Sequence, residues 1–566
     1  MKTECGVFGI LNSSNLIEQE TQNETQNETQ NETQNDTHFE NSVDSNMDEY
    51  EVVDTIQGLK KLQHRGQESW GIAYLERNTN NTNNTNNTNN NINHSKNEIN
   101  LFKKIGYVRD FNIGEGLEFH NIGKSSSVCI GHVRYSTSGN GKKSDKMLLD
   151  ESHPFIGNHY TLGQFAICHN GNIPKFPNIS DIRSLCNENI EDIDFKNQSD
   201  TQVILKLLET LIGNSWMSVL KIFRQIIPGV YCLLLMTKNK LYGIRDIYGV
   251  RPLILANKVV TKTVYDVKNR KVCNTIVSDN IPTKKDIISG WCIASETSAL
   301  TEPYIFFKDI SPGEIIEISK NGIITNIPDS TPQSIHCIFE YVYFLRGKSQ
   351  SDGIVADQVR YQFGISLGKQ DISENSKMVK YLEHVGAIVS GVPTTGIQSG
   401  KGYAEITGLQ YNQFLIKDRS MGRTFILQND QQRLAACRKK YIIDENIIKG
   451  KEIVLVDDSI VRGNTLRIII SMFRSYGVKA VHIRVSSPPV KHPCYFGVDI
   501  PTHNELIGHR MSIDETCQEI GADTLVYLNL GNMKKSFSYV ENNTIKQLNF
   551  CSACFDGNYN SKLLGW

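Results

Sequence analysis

The rhythm of apolar and polar positions changes partway along the chain. The first part alternates short apolar runs with turn residues: CGVFGIL from Cys5, GIAYL from Gly71, SVCIGHVRY from Ser127 and FAICHNGNI from Phe165. Apolar runs of four to eight residues bounded by turns predict strands. Helical spacing appears in VVDTIQGLKKLQHRG from Val52 and in TQVILKLLETLIG from Thr201, and the stretch from Ile226 to Met236 predicts a buried strand. Together these predict a strand-rich layer with helices against it. From about Ser334 apolar strands are each followed by a helical segment, as in GAIVSGVP, EIVLVDD and AVHIRVSSPP, the pattern of a parallel α/β sheet. The Pro- and Ser-rich IPDSTPQS marks a boundary near residues 325–335.

Two stretches break the pattern. TQNETQNETQNETQNDT (Thr21 to Thr37) repeats every four residues and TNNTNNTNNTNNN (Thr79 to Asn91) every three. Neither can bury apolar surface, which predicts disordered inserts near residues 12–46 and 78–98. The 566 residues suffice for two to four domains. Sixty Lys plus Arg against 61 Asp plus Glu leave a net charge of -1, which removes the global electrostatic argument for nucleic acid or an anionic membrane. Thirteen scattered cysteines, an odd number, suit a reducing compartment. With no secretory pattern and no apolar run of spanning length, the cytoplasm is expected.

Cys5 stands just before the first apolar run. If residues 1–4 were removed as a propeptide, Cys5 would carry a thiol and a free α-amine, whose pKa near 8 suits a general base for its own side chain. Such a site also needs a cation for a substrate carboxylate, an anion for an ammonium and donors for an oxyanion. Arg134 in GHVRYSTSG, Asp200 in NQSDTQ, and Asn170 with Gly171 in HNGNI are of those types. Each also has a plain structural reading: a surface ion pair, a helix N-cap, an ordinary turn.

In this order CGVFGI, LQHRGQES, GHVRYST, HNGNI and SDTQ resemble the glutaminase domain of N-terminal-nucleophile glutamine amidotransferases. The resemblance implies that Cys5 attacks the glutamine amide, that Asn170 and Gly171 form the oxyanion hole, that Arg134 and Asp200 hold the glutamine backbone charges, and that Arg65 and Gly66 help close the pocket.

A second constellation lies in KEIVLVDDSIVRGNTLRIIISMF, from Lys451 to Phe473. A strand, two acids, a loop with Gly463 and Thr465, and an amphipathic helix suit a phosphorylated sugar. Backbone N–H groups can cradle a phosphate, and Asp457 with Asp458 can bind ribose hydroxyls and a divalent cation. The chain has neither the P-loop nor the G-x-G-x-x-G fingerprint. The segment resembles the phosphoribosyl pyrophosphate (PRPP) loop of type I phosphoribosyltransferases, which implies PRPP binding by Asp457, Asp458, Ser459, Arg462, Gly463 and Thr465. GVPTTG (Gly391 to Gly396) resembles that family's pyrophosphate loop, and KDRSMGRTF (Lys417 to Phe425) its lid, with Lys417, Arg419 and Arg423 as anion clamps. Mg²⁺ would be held through Thr395, Asp457 and Asp458. Thr394 stands where the family usually has an acid, Asp418 where it has Asn and Ser420 where it has Tyr. These departures predict weaker metal or pyrophosphate contacts and a looser lid.

Cys551 and Cys554 form a C-x-x-C, a spacing used for zinc and for iron–sulfur centres. The motifs jointly resemble the glutamine PRPP amidotransferases, in the iron–sulfur branch with a cleaved propeptide. That resemblance adds Cys337 and Cys494 as further ligands of a [4Fe-4S] cluster; the thiolates alone leave zinc open. It implies an α+β four-layer N-terminal-nucleophile hydrolase domain (5–330), an α/β type I phosphoribosyltransferase domain (331–535) and a C-terminal tail (536–566). It further implies conversion of glutamine and PRPP to 5-phosphoribosylamine, glutamate and pyrophosphate, the first step of de novo purine synthesis, by a homotetramer that purine nucleotides inhibit. A glucosamine-phosphate synthase shares the glutaminase half but not the VDDSIVRGNT loop. A PRPP-binding regulatory protein with uncoupled glutaminase activity is the alternative that remains.

Overall fold

The computed structural model describes residues 5–12, 51–75, 98–112, 127–135, 144–187, 198–272, 275–330, 332–418, 441–500, 502–539 and 548–564. Residues 1–4, Arg419, Ser420, Arg423 and most of both repetitive inserts lie outside the described residues. The chain divides into two compact units, Glu4–Pro332 and Gln333–Leu564.

In chain order, the first unit contains β1 (Gly6–Asn12), α1 (Glu51–Lys61), β2 (Ser69–Leu75), β3 (Ile99–Ile105), β4 (Val128–Arg134), α2 (Asp145–Asp150), β5 (Phe155–His159), β6 (Gly163–Asn172), α3 (Asp200–Thr210) and α4 (Trp216–Ile226). There follow β7 (Val230–Met236), β8 (Lys240–Arg245), β9 (Ile254–Val272), β10 (Thr275–Ala294), β11 (Tyr304–Asp309), β12 (Ile315–Ser319) and β13 (Gly322–Asn326). One sheet runs β11-β9-β10-β1-β4-β2-β3 and the other β13-β12-β8-β7-β6-β5. All pairings within both are antiparallel.

Strand periodicity explains the layering. On β1, Val7 and Leu11 join Cys168, Leu234 and Ile316 in the apolar layer shared by the two sheets. Phe8 and Ile10, offset by one residue, point the other way and pack with Val52, Ile56 and Leu59 of α1. The outer face of the second sheet is covered by Ile204, Leu208, Val219 and Phe223 of α3 and α4. A strand buried on both faces has no polar alternation, which is why the sequence shows these strands as continuous apolar runs. At roughly 1.5–3 kcal/mol per fully buried large side chain, these layers dominate the unit's stability. This is the four-layer α/β/β/α architecture expected. Ile226 is a correction: it ends α4, because Pro228 and Gly229 stop the helix and the strand begins only at Val230.

The second unit contains β14 (Ile335–Cys337), α5 (Ala356–Glu374), β15 (Ile388–Gly391), α6 (Gly396–Thr407), β16 (Gln410–Tyr411), β17 (Glu452–Asp457), α7 (Asn464–Ser475), β18 (Ala480–Val485), α8 (Ile513–Ile520), β19 (Thr524–Tyr527), β20 (Asn549–Cys551) and α9 (Ala553–Asp556). Its main sheet is parallel, ordered β16-β15-β17-β18-β19. The connection reverses direction between β15 and β17, and ligands of open α/β sheets bind beyond the strand ends at such a switch point. A buried ion pair ties helix to sheet: Arg484 of β18 donates to Asp371 of α5 at 2.5 Å, and Tyr403 of α6 donates to the same carboxylate at 2.6 Å.

Candidate functional site

In the first unit, the polar residues expected around Cys5 converge on the ends of β1, β4 and β6. Cys5 is half-buried just ahead of β1, and its Sγ lies 3.8 Å from the Tyr135 carbonyl as donor. Burial pushes its thiol up to about 11; the charge of Arg134 opposes that shift, while Asp200 and Glu68 add to it. All three charged groups therefore act on the sulfur. Gly66 allows the crossing: a Cβ there would sit 2.4 Å from the Val133 carbonyl carbon. Arg65, fully buried, runs its stem beside Gly6 and pairs with buried Glu296 at 3.4 Å.

The wall opposite is set by β6. Asn170 is 1% exposed, and its Nδ2 has no hydrogen-bond partner. A buried unmade donor costs about 1–3 kcal/mol, so its retention marks a place for an acceptor. Gly171 has φ +151°, and a Cβ would lie 2.0 Å from the Val230 carbonyl oxygen, so only glycine fits. Asp200 is the first residue of α3; Ser199 takes the N-cap in a capping box with Gln202, leaving one Asp200 oxygen on the Thr201 N–H.

Several residues here had not been singled out. Arg134 donates from one terminal nitrogen to Glu68 at 2.8 Å and from the other to Glu151 at 2.5 Å. Behind the site lie three buried histidines. The rings of His132 and His153 touch at a 43° tilt with centroids 4.1 Å apart, and His169 Nδ1 lies 3.0 Å from Thr201 Oγ1 and 3.7 Å from Asp200. Burial lowers all three, His132 to about 3, which keeps them neutral. Glu68, His132 and His169 sit inside the quoted motifs, which was the available signal.

In the second unit the loop after β15 and the loop after β17 meet at the switch point. Gly391 pairs with Val456, and a Cβ on Gly396 would come within 2.6 Å of the Val456 carbonyl, so the start of α6 lies against the end of β17. Thr395 donates its hydroxyl to Asp458, whose other oxygen accepts from Ser459 Oγ at 2.6 Å. Asp457 and Asp458 are buried, and burial raises both, with the Asp458 charge adding to the shift of Asp457. Gly463 has φ +77° as the N-cap of α7, and Thr465 lies in its first turn. Arg462 is paired with Glu505 at 2.6 Å. Lys417 is exposed at the end of the short strand Leu415–Lys417. Neighbouring Asp418 is the last described residue before a gap.

The four cysteines also share a neighbourhood. The parallel pairing of β14 with β20 puts Cys337 opposite Cys551. Cys554, on α9, is raised by burial first and then by the charges of Cys337, Cys551 and Cys494. Its carbonyl accepts from the Lys491 and His492 N–H groups, which fastens the tail to the segment carrying Cys494. Among the described residues no group of three or more His, Cys, Asp or Glu could hold a single metal ion, and no helix is long and apolar enough to cross a membrane.

A thiol ahead of β1 on which Arg134 and Asp200 act, an unmade amide donor on β6, and a phosphate-type loop at a parallel switch point define the class: a glutamine amidotransferase joined to a phosphoribosyltransferase. Residues 147–265 match the model of a glutamine amidotransferase domain. The chain is 33% identical over 522 residues to the amidophosphoribosyltransferase of Drosophila melanogaster, covering 89% of this chain and 84% of that one. It is equally 33% identical to that of Methanocaldococcus jannaschii, covering 89% and 93%. A solved glutamine PRPP amidotransferase from B. subtilis, complexed with ADP and GMP, superposes with a TM-score of 0.69 at 27% identity, covering 98% of this chain and 97% of that one. The chain belongs to the amidophosphoribosyltransferase family, and its reaction is glutamine-dependent amidotransfer to PRPP in purine synthesis.

Proposed function

We propose that Cys5, freed by removal of residues 1–4, is the nucleophile that opens glutamine, and that the ammonia released is consumed at the phosphoribosyl site formed by the loops after β15 and β17. The unpartnered Asn170 Nδ2 carries this reading: a buried amide with no acceptor of its own suits the oxyanion of a tetrahedral intermediate. Gly171 lets the backbone pass close enough to add its N–H. The freed α-amine takes the thiol proton, directly or through water, which offsets the burial that otherwise holds the thiol up to about 11. Arg134 and Asp200 receive the carboxylate and ammonium of glutamine, with Arg65 and Gly66 supporting that wall.

At the second site, Asp457 and Asp458 hold the ribose hydroxyls, and Ser459, Arg462, Gly463 and Thr465 cradle the 5-phosphate. Lys417, Arg419 and Arg423 clamp the pyrophosphate. The oxygen set of Asp457, Asp458 and the Thr395 hydroxyl is of the type Mg²⁺ takes, and these residues would hold the ion, whose charge would offset that of the leaving pyrophosphate. Cys337, Cys494, Cys551 and Cys554 supply the four thiolates of a [4Fe-4S] cluster: the β14–β20 pairing sets Cys337 opposite Cys551, and the charges of Cys337, Cys551 and Cys494 all act on Cys554. Its part is to fasten the C-terminal tail. The reading includes a cytoplasmic homotetramer inhibited by purine nucleotides; ADP and GMP are bound in the B. subtilis relative. Intact mass and metal analysis of anaerobically purified protein tests it. A chain starting at Cys5 with about four irons is expected; an active chain retaining Met1, or stoichiometric zinc, contradicts it.

A further inference from the structure

The loop after β15 begins where a sheet ladder stops. In the parallel pairing of β16 with β15, the Asn412 N–H donates to the Val389 carbonyl at 2.9 Å. Bonds in a parallel ladder are evenly spaced, one at every second residue, so the next donor would be the Phe414 N–H and the next acceptor the Gly391 carbonyl. The Phe414 N–H donates instead to the Asn412 carbonyl at 3.1 Å, which turns the chain off the sheet toward the short strand Leu415–Lys417. The Gln413 side chain takes the place of the missing rung. Its Nε2 donates to the Gly391 carbonyl at 2.9 Å and to the Leu415 carbonyl at 2.5 Å.

The amide is used on every side. Its Oε1 accepts from the Tyr411 hydroxyl at 2.5 Å, and burial pushes that hydroxyl up to about 12, so it stays a donor. Two carbonyls on one side and a hydroxyl on the other fix the orientation of the amide, because only the nitrogen can donate twice. Gly400 packs behind this clip: a Cβ there would lie 3.1 Å from the Gly391 nitrogen and 3.2 Å from the Tyr411 ring. Phe414 and Leu415, buried in the core of the unit, hold the other end. One side chain thus joins the first residue of the 391–396 loop to the strand that ends at Lys417.

We propose that Gln413 is a positioning residue for the pyrophosphate end of PRPP: it sets the separation between the 391–396 loop and Lys417 so that both reach the same anion. This rests on the reading that the loop and Lys417 bind the pyrophosphate. The three hydrogen bonds of Gln413 go to residues 391, 411 and 415, away from the β17–α7 loop assigned to the 5-phosphate. Its loss therefore weakens the grip on one end of the substrate and spares the other.

The experiment is ammonia-dependent synthesis by the full chain at fixed Mg²⁺, with inhibition constants against PRPP measured for pyrophosphate and for ribose 5-phosphate, each of which carries one end of the substrate. Gln413→Met keeps the length of the side chain and removes its donors and acceptor. It should raise the pyrophosphate constant and the PRPP KM about three- to tenfold, the scale of one or two lost hydrogen bonds, and leave the ribose 5-phosphate constant near that of the parent chain. Tyr411→Phe, which takes only the donor from Oε1, should act in the same direction by less. An equal rise in both constants would mean a general loosening of the unit, and no rise in either would make the contacts incidental; each result overturns the proposal. Lys417→Ala, alone and combined with Gln413→Met, tests the route. If Gln413 works by placing Lys417, the second change adds less on top of the first, and fully additive effects overturn the link. If neither pyrophosphate nor ribose 5-phosphate competes with PRPP in the parent chain, the assignment of the site itself fails, and the role of Gln413 with it.

Discussion

The two sites solve the same problem, holding an anionic or zwitterionic ligand, in contrasting ways. The proposed phosphoribosyl site is nearly continuous: strand β17, its loop and helix α7 supply most of it from residues 452–475, with the loop at 391–396 and the clamps of 417–423 beside it. The proposed glutaminase site draws on Cys5, Arg134, Asn170 and Asp200, which are far apart in sequence and come from separate elements of the two-sheet sandwich. In the first the proposed cradle is largely backbone, and side chains are satisfied in advance, as Thr395 on Asp458 shows. In the second a donor is left unmade at Asn170 and a cation is oversubscribed at Arg134. The lesson is that a site built from side chains keeps its ligand's place by an unpaired group. A site built from a loop and a helix start keeps it by shape.

The contrast is most severely strained by removing the sulfur. Cys5→Ala should cut glutamine-dependent synthesis by more than about 10³-fold while ammonia-dependent synthesis persists; parallel loss of both activities would mean the two sites are not separable. Next in size, Asn170→Ala should lower kcat for glutamine about 10²- to 10³-fold with a smaller change in KM, as expected for a donor used mainly in the transition state. A change confined to KM would assign the amide to ground-state binding. At the second site, Thr395→Val keeps the volume and removes the hydroxyl on Asp458. Ammonia-dependent synthesis should fall roughly tenfold, as when a ligand's supporting partner is lost, and wild-type rates would make that contact incidental.

The smallest effect is on stability. His132, His153 and His169 are lowered by burial, so the unfolded chain binds their protons first as the pH falls. Their contribution is complete above the ordinary histidine range near 6.5 and is lost as the pH drops toward the folded values, about 3 for His132. Denaturant titrations from pH 7 to pH 5 should show stability declining by up to about 1.4 kcal/mol per pH unit for each histidine. His132→Gln should flatten that slope; an unaltered slope would place the acid sensitivity elsewhere.

How far each region could be read beforehand follows from the same contrast. The parallel sheet and its loop were legible because one stretch carries strand, acids, glycine and helix in order. The strands of the sandwich were legible as apolar runs, but Ile226 was misplaced because a helix end and a strand start abut across Pro228 and Gly229, both apolar. The glutaminase residues were legible only as motifs, since nothing in their spacing says that Arg134 and Asp200 both act on Cys5. Glu151 escaped entirely: an acid in a polar stretch carries no mark until the fold sets it on the arginine. The four cysteines were half legible, because C-x-x-C is local whereas Cys337 joins it only through the pairing of β14 with β20.

The central claim is that the two sites work as one enzyme, and the most direct test is to follow glutamate and pyrophosphate in the same tube, with purified protein, glutamine, Mg²⁺ and PRPP. Equal amounts of the two products, with little glutamate when PRPP is omitted, are predicted. Glutamate released without pyrophosphate would contradict the account and leave a glutaminase beside an uncoupled PRPP-binding domain.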